Sequence, residues 1–269
     1  MFLGMYRPIA EVGFYNMAYK IPSTAIESVP FVLGGTLLPA ISEQFGRSEM
    51  EKIRAIYRYA ARYLMMLSFP LAIGGIALAK PIITLLYGTE YAPAILLMQI
   101  VFIPFAMRGL MHSVSSVIYG IKEPSFVLKT GSVLIVLSIG LNLWLIPQYG
   151  AIGAAIATSI PRMAALPVYI RFVSKKIGEP WPLGDTIKTA LASVIMGIVV
   201  FALQHYLGVI LGLCLSIPAG IIIYFATLVS LRVIGPEDLK MLKKMEKRLP
   251  SKLRRRYATI ISLVATFVR

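Results

Sequence analysis

Asn16, Lys20, Ser23, Thr24 and Glu27 fall at i, i+4, i+7, i+8 and i+11 inside an otherwise apolar run, so a helix there carries all five on one face. Arg108, His112, Ser115, Ser116 and Tyr119 repeat that stripe in a second apolar run. Thr158, Ser159, Arg162 and Tyr169 share a face in a third, and Ser138 and Asn142 do so in a fourth. A cation at the centre of a bilayer costs about 2.5–3.5 kcal/mol on insertion scales, so it faces a bundle interior or a wet cavity. Lys20, Arg108 and Arg162 together therefore predict one aqueous, electropositive cavity, with Asn16 and Asn142 as further lining. Guanidinium groups match phosphate in charge and geometry, which makes a phosphate-bearing anion the natural occupant. Each cation has a plainer alternative: Lys20 snorkelling to head groups, Arg108 bonding carbonyls freed at Pro104, and Arg162 bonding those freed near Pro161. Glu27, the single acidic residue deep in an apolar run, either couples transport to H⁺ or Na⁺ or neutralises a nearby cation, and neutralisation is the favoured reading. His112 can titrate, but beside Arg108 a polar packing role is favoured.

Seven stretches, each near the 20 or so helical residues needed to cross the hydrocarbon, must position these groups. They are Val12–Ile41, Tyr57–Ala79, Ala92–Tyr119, Ser125–Ile146, Ile152–Val173, Thr186–Tyr206 and Gly208–Val233. The predicted fold is all-α, a polytopic membrane bundle of about seven transmembrane helices with a cytoplasmic amphipathic basic tail helix. Loops rich in Lys and Arg alternate with nearly bare ones: Arg47 to Arg62, Lys122 and Lys129, and Arg171 to Lys188 against Lys80, Pro147–Gly150 and His205–Leu207. Positive loops stay cytoplasmic, which predicts an external N-terminus and a cytoplasmic C-terminus in the cell membrane. Pro22, Pro30, Pro70, Pro104, Pro161, Pro167 and Pro218 lie within spans and predict kinks. The small-residue run from Gly150 to Ala157 predicts close backbone packing. Past Gly235, Leu239, Leu242, Met245 and Leu249 keep helical spacing among Lys240, Lys243, Lys244, Lys247 and Arg248, so this tail should lie on anionic lipids. Three regions follow: residues 1–177 as a five-span bundle, 178–234 as an additional helix pair, and 235–269 as the basic tail.

Of 269 residues, 58% are hydrophobic and only 14% charged, against about 25% charged in soluble domains. The net charge of +15 raises nucleic acid as a partner, but ten of the 27 Lys and Arg lie after Gly235 and most others sit in loops assigned as cytoplasmic. That distribution is orientation signal plus a membrane-binding tail, and it argues against nucleic acid. Cys214 is the single cysteine, which excludes an internal disulfide. No cleavable leader precedes the first span, and so abrupt a start predicts that something precedes this sequence. The sequence holds no His-Glu-x-x-His, Gly-x-Ser-x-Gly or phosphate-loop pattern, so neither an enzyme, a metal nor a cofactor is implied.

Val12-Gly13-Phe14-Tyr15-Asn16-Met17-Ala18-Tyr19-Lys20, running on to Leu38-Pro39-Ala40-Ile41-Ser42, resembles the eighth helix of polysaccharide exporters and flippases of the multidrug/oligosaccharidyl-lipid/polysaccharide superfamily. Leu86-Tyr87-Gly88-Thr89-Glu90-Tyr91-Ala92-Pro93-Ala94 is similar to the stretch before their tenth helix. Leu145-Ile146-Pro147-Gln148-Tyr149-Gly150-Ala151-Ile152-Gly153-Ala154-Ala155-Ile156-Ala157-Thr158 is similar to the link from eleventh to twelfth. The resemblance implies a two-lobed transporter of twelve to fourteen helices that moves a lipid-linked sugar by alternating access. These spans would be helices eight to fourteen, with a first lobe encoded upstream or separately. In the related lipid II flippase branch a basic residue early in the eighth helix lines the cavity, at the place matching Lys20, and an extra helix pair helps form a groove for the lipid tail. The substrate implied is a lipid-linked sugar diphosphate. Two alternatives stay open: a multidrug exporter of the same superfamily, disfavoured for cationic drugs by the positive cavity, and a non-transporting membrane remnant or scaffold.

Overall fold

A computed structural model describes residues 2–233, and for 25–35 the backbone alone. The basic tail expected over 235–269 and the side chain of Glu27 lie outside the described residues. Among the described residues every regular element is a helix, as the long apolar runs require. A short α1 (Leu3–Tyr6) leads into α2 (Ile9–Gly46), α3 (Met50–Ala77), α4 (Ala79–Tyr87), a 3₁₀ turn (Thr89–Tyr91) and α5 (Pro93–Gly120). The 54-residue α6 (Pro124–Ile177), α7 (Leu183–Leu207) and α8 (Val209–Ser230) complete it. Among the described residues, α3, α5, α6, α7 and α8 are long and apolar enough to cross a membrane. The protein is a multi-pass membrane protein. Each of the seven predicted spans falls on helical backbone, the first on α2 and the fourth and fifth together on α6.

α6 is double length because it folds back on itself. Gly150 takes φ 57° and ψ −131°, a conformation open to glycine and strained for a side chain. In a straight helix residues eight apart lie about 12 Å from each other, yet a methyl group on Gly153 would overlap the Leu145 carbonyl. Further along, Phe126 stacks on Phe172 at 3.7 Å between ring centroids, and Lys176 Nζ reaches Glu123 Oε1 at 2.6 Å. The limbs 124–149 and 151–177 are therefore antiparallel neighbours. Two charges hold the turn: Glu11 Oε2 accepts from the Ala151 N–H at 3.2 Å and Arg7 Nη2 donates to the Pro147 carbonyl at 3.0 Å. An anion at a helix start and a cation at a helix end both suit the backbone dipole.

α5 is the central helix, packed against α2, α3 and α6. Small residues permit the close approaches: Gly120 sits against Ile41, and Gly75 sits under the Phe102 ring. Ala154, Ala155 and Ala157 of the small-residue run are buried. One core joins Phe105, Met98, Ala18 and Ala155; another joins Tyr57, Leu110, Ile118 and Tyr169. α7 and α8 pair with each other and lean on α3 through a third cluster of Ala192, Met196, Val200, Tyr224 and Leu228. Tyr224 Oη donates to the Met66 carbonyl at 2.6 Å and pins α8 to α3.

The connections sort to two ends. At one, Arg58 pairs with Glu179 at 3.0 Å and Arg62 with Asp185 at 3.9 Å, Lys176 pairs with Glu123, and Arg62 also donates to the Val233 carbonyl. At the other lie Arg7, Glu11, the α6 turn, and Phe14 against Tyr91 at 5.6 Å. The Lys/Arg-rich loops share the first end. Their cations thus tie α3 to the α6–α7 connection and to the end of α8. α4 occupies the stretch around Lys80 where the charge pattern predicts a connecting loop. Its Pro81 and Ile83 are buried while Leu85 and Leu86 are exposed, so it anchors one face and presents the other outward.

Candidate functional site

Arg108, Met111, His112 and Ser115 follow at i, i+3, i+4 and i+7 on α5, one face by helical spacing. That face meets Arg162 and Ala165 on the second limb of α6 across an open cleft of 310 Å³. Two guanidinium groups, an imidazole and a hydroxyl therefore converge from two helices, and among the described residues the lining holds no carboxylate. Such a set attracts and can chelate an oxyanion.

Arg162 is held by a mount that spacing alone did not reveal. Its Nη2 donates to Tyr19 Oη at 3.0 Å, and its guanidinium carbon lies 5.6 Å from the ring centroids of both Tyr19 and Phe105. The two rings meet edge to face at 5.0 Å, with Phe105 fully buried. Cation–π attraction here adds to one hydrogen bond, so the head group is fixed from two sides. One turn earlier on α2, Tyr15 Oη and Thr158 Oγ1 are 3.3 Å apart, and Thr158 also donates to the Ala154 carbonyl at 2.9 Å. The aromatic pair on α2 sets where Arg162 can reach.

Of the residues singled out by sequence, Arg108, His112 and Arg162 come together in the cleft. Asn16, Lys20 and Thr24 form an exposed stripe on α2, one residue round from Tyr19, and are not among the residues lining the 310 Å³ cleft. Ser23 and Thr24 hydroxyls donate to the Lys20 carbonyl at 2.8 and 2.9 Å. Asn142 lies apart, buried on the first limb of α6, where its amide donates to the Ser138 carbonyl at 2.7 Å. Tyr19, Phe105 and Tyr15 are the members that sequence reasoning did not place, while Thr158 falls on the Arg162 face that the spacing predicts. The available signal was the i, i+4 pair Tyr15/Tyr19 flanking the polar stripe.

A second, apolar cleft of 410 Å³ runs between α3 and α8, floored by Gly74, Gly75, Pro70 and Gly220 and edged by Ile21 and Phe102. Met196 and Val200 of α7 also line it.

The family model of the lipid II flippase MurJ matches residues 15–234. The chain belongs to the MurJ lipid II flippase family. That is a family of transporters, not of catalytic enzymes. Among its relatives, the chain is 23% identical over 229 residues to the probable low-salt glycan biosynthesis flippase Agl15 of Haloferax volcanii, covering 82% of this chain and 47% of that protein. It is 24% identical to the teichuronic acid biosynthesis protein TuaB of Bacillus subtilis, covering 84% and 48%, and 26% identical to the lipid II flippase MurJ of Bacillus subtilis, covering 67% and 34%. The solved inward closed conformation of a lipid II flippase MurJ superposes with a TM-score of 0.69 at 19% identity, over 84% of this chain and 48% of that one. The MurJ fold is thereby shown for this bundle. The chain spans about half the length, or less, of the curated relatives it matches.

Proposed function

We propose that this chain is one lobe of a flippase that moves lipid-linked oligosaccharide or polysaccharide precursors across the cell membrane by alternating access. The observation that carries the reading is the cleft in which Arg108, His112 and Arg162 converge from α5 and α6. A lipid-linked sugar diphosphate is the anion such a cleft suits, and shielding that charge is the main requirement for moving it past hydrocarbon. A second lobe, on the same polypeptide or a separate one, supplies the facing wall. The exposed stripe Asn16, Lys20 and Thr24 faces the space between lobes, so that Lys20 meets the substrate from α2 while Arg108 and Arg162 meet it from α5 and α6. Glu27 balances charge on the same face of α2, and Asn142 sets the packing of the first limb of α6. Rocking of the lobes about this site needs no covalent chemistry. The loop charges support an N-terminus outside and a C-terminus in the cytoplasm, with the basic tail on anionic lipid. The α7–α8 pair forms a lipid-facing unit beside the five-span bundle.

The test is export of the lipid-linked sugar in cells carrying Lys20→Gln with Arg108→Gln, in the full transporter. Loss of export with normal membrane insertion is the expected result; unchanged export refutes the cleft as the substrate site.

A further inference from the structure

α2 and the second limb of α6 run in the same direction and are joined at three levels. Glu11 Oε2 accepts from the Ala151 N–H at 3.2 Å, Tyr15 Oη and Thr158 Oγ1 lie 3.3 Å apart, and Arg162 Nη2 donates to Tyr19 Oη at 3.0 Å. Glu11, Tyr15 and Tyr19 stand at i, i+4 and i+8, one stripe along α2. The stripe covers about 12 Å of α2 and about 16 Å of the limb, from the limb's first residue to the arginine in the cleft. Between these contacts the surfaces are smooth, for Ala18 of α2 packs with Ala151, Ala154 and Ala155 in one core. Such small residues bring backbones close, but they offer no large knob to fix how far one helix slides along the other. The first limb does not fix it either, since the helix is broken at Gly150. Arg162 therefore takes its depth in the bundle from polar contacts. A slip of one residue moves it roughly 1.5 Å, which stretches its hydrogen bond to Tyr19 past the roughly 3.2 Å limit of a normal one.

Glu11 is itself held in place. Arg7 Nη1 lies 3.9 Å from Glu11 Oε1, and Arg7 Nη2 donates to the Pro147 carbonyl at 3.0 Å across the turn. Leu3, buried in the same core as Ile146 and Ala151, seats the segment that carries the pair. We propose that Glu11 is a positioning residue for Arg162. By holding the first amide of the limb, it fixes the depth at which the guanidinium enters the cleft, eleven residues further on. Its consequence for substrate binding rests on the reading of the arginine cleft given above. The bond matters here more than the charge. A glutamine amide oxygen accepts the same bond, an aspartate keeps the charge but is one methylene short, and an alanine removes both.

With 3-fluorotyrosine in place of Tyr19 in the purified chain, the ¹⁹F resonance reports the Arg162 contact without any ligand. Glu11→Ala should shift that resonance toward its position in Arg162→Gln. Glu11→Asp should shift it in the same direction, and Glu11→Gln should leave it where the parent has it. Affinity for isoprenyl diphosphate should fall about fivefold in Glu11→Ala and stay within roughly twofold in Glu11→Gln. It should fall no further when Glu11→Ala is added to Arg162→Gln, as two residues acting through one contact require. Arg58→Gln breaks the pair with Glu179 at the other end of the bundle, and it should leave both readouts unchanged, which separates positioning from general loosening. A fluorine resonance that ignores both Glu11→Ala and Glu11→Asp overturns the proposal, as does an affinity loss that adds in full to that of Arg162→Gln. Parental binding by Arg162→Gln would instead refute the anion reading of the cleft, and the resonance would still decide whether Glu11 sets the arginine.

Discussion

Tyr19 shows how a side chain with no charge governs one that has it. Its hydroxyl accepts from Arg162 and its ring lies beside the same guanidinium, so the arginine's position depends on the register of α2. Tyr19→Phe removes the hydrogen bond and keeps the ring. A hydrogen bond to a charged group is worth about 1.5 kcal/mol, so binding of a lipid-linked diphosphate should weaken roughly tenfold while the thermal midpoint barely moves. Titration of the purified variant checks this; unchanged affinity would make the contact a packing detail. Arg108, His112 and Arg162 were legible in the sequence because charge in an apolar run is expensive and must be explained. Tyr19 and Phe105 were not, since an aromatic residue on a membrane helix reads the same whether it packs or positions. Arg7 and Glu11 were hidden for a different reason: they precede the first apolar run, and their partners at Pro147 and Ala151 are 140 residues away.

Among the elements, the α6 hairpin is the one whose geometry rests on a single residue. Gly150→Ala puts a side chain at φ 57°, costing about 1–2 kcal/mol, and its methyl would also overlap the Glu11 carboxylate. Its melting temperature in detergent should fall by several degrees, and by more than that of Glu11→Gln, which removes only the charge at the start of the second limb. A Gly150→Ala protein as stable as the parent would mean the turn tolerates other backbone conformations. The order of the long helices was readable because hydrophobic length and loop charge agree. That two limbs of α6 lie side by side was foreshadowed by the bare Pro147–Gly150 link. α4 is not legible in the sequence because its nine residues are too few to span and Lys80 interrupts their apolar run. Its helix forms because Pro81 and Ile83 bury against the bundle, a tertiary cause that local pattern does not carry.

For the molecule as a whole, the orientation proposed from the Lys/Arg alternation is tested by labelling the two ends to which the loops sort. With Cys214→Ser as background, Gln148→Cys at the α6 turn should react with a membrane-impermeant thiol reagent in intact cells. Ser48→Cys, between α2 and α3, should react only after permeabilisation. The reverse pattern would invert the topology. Arg54, Arg58 and Arg62 were legible as orientation signals, but their second task, tying α3 to Ile177, Glu179 and Asp185, emerges only when the helices are assembled. The central claim is that this lobe binds a lipid diphosphate through its arginine cleft, and native mass spectrometry of the purified chain with isoprenyl diphosphate tests it most directly. Loss of one charge-assisted contact is worth about 2 kcal/mol, so each of Arg108→Gln and Arg162→Gln should weaken binding roughly 30-fold, and the double variant should show no bound lipid. Undiminished binding by the folded double variant would contradict the claim.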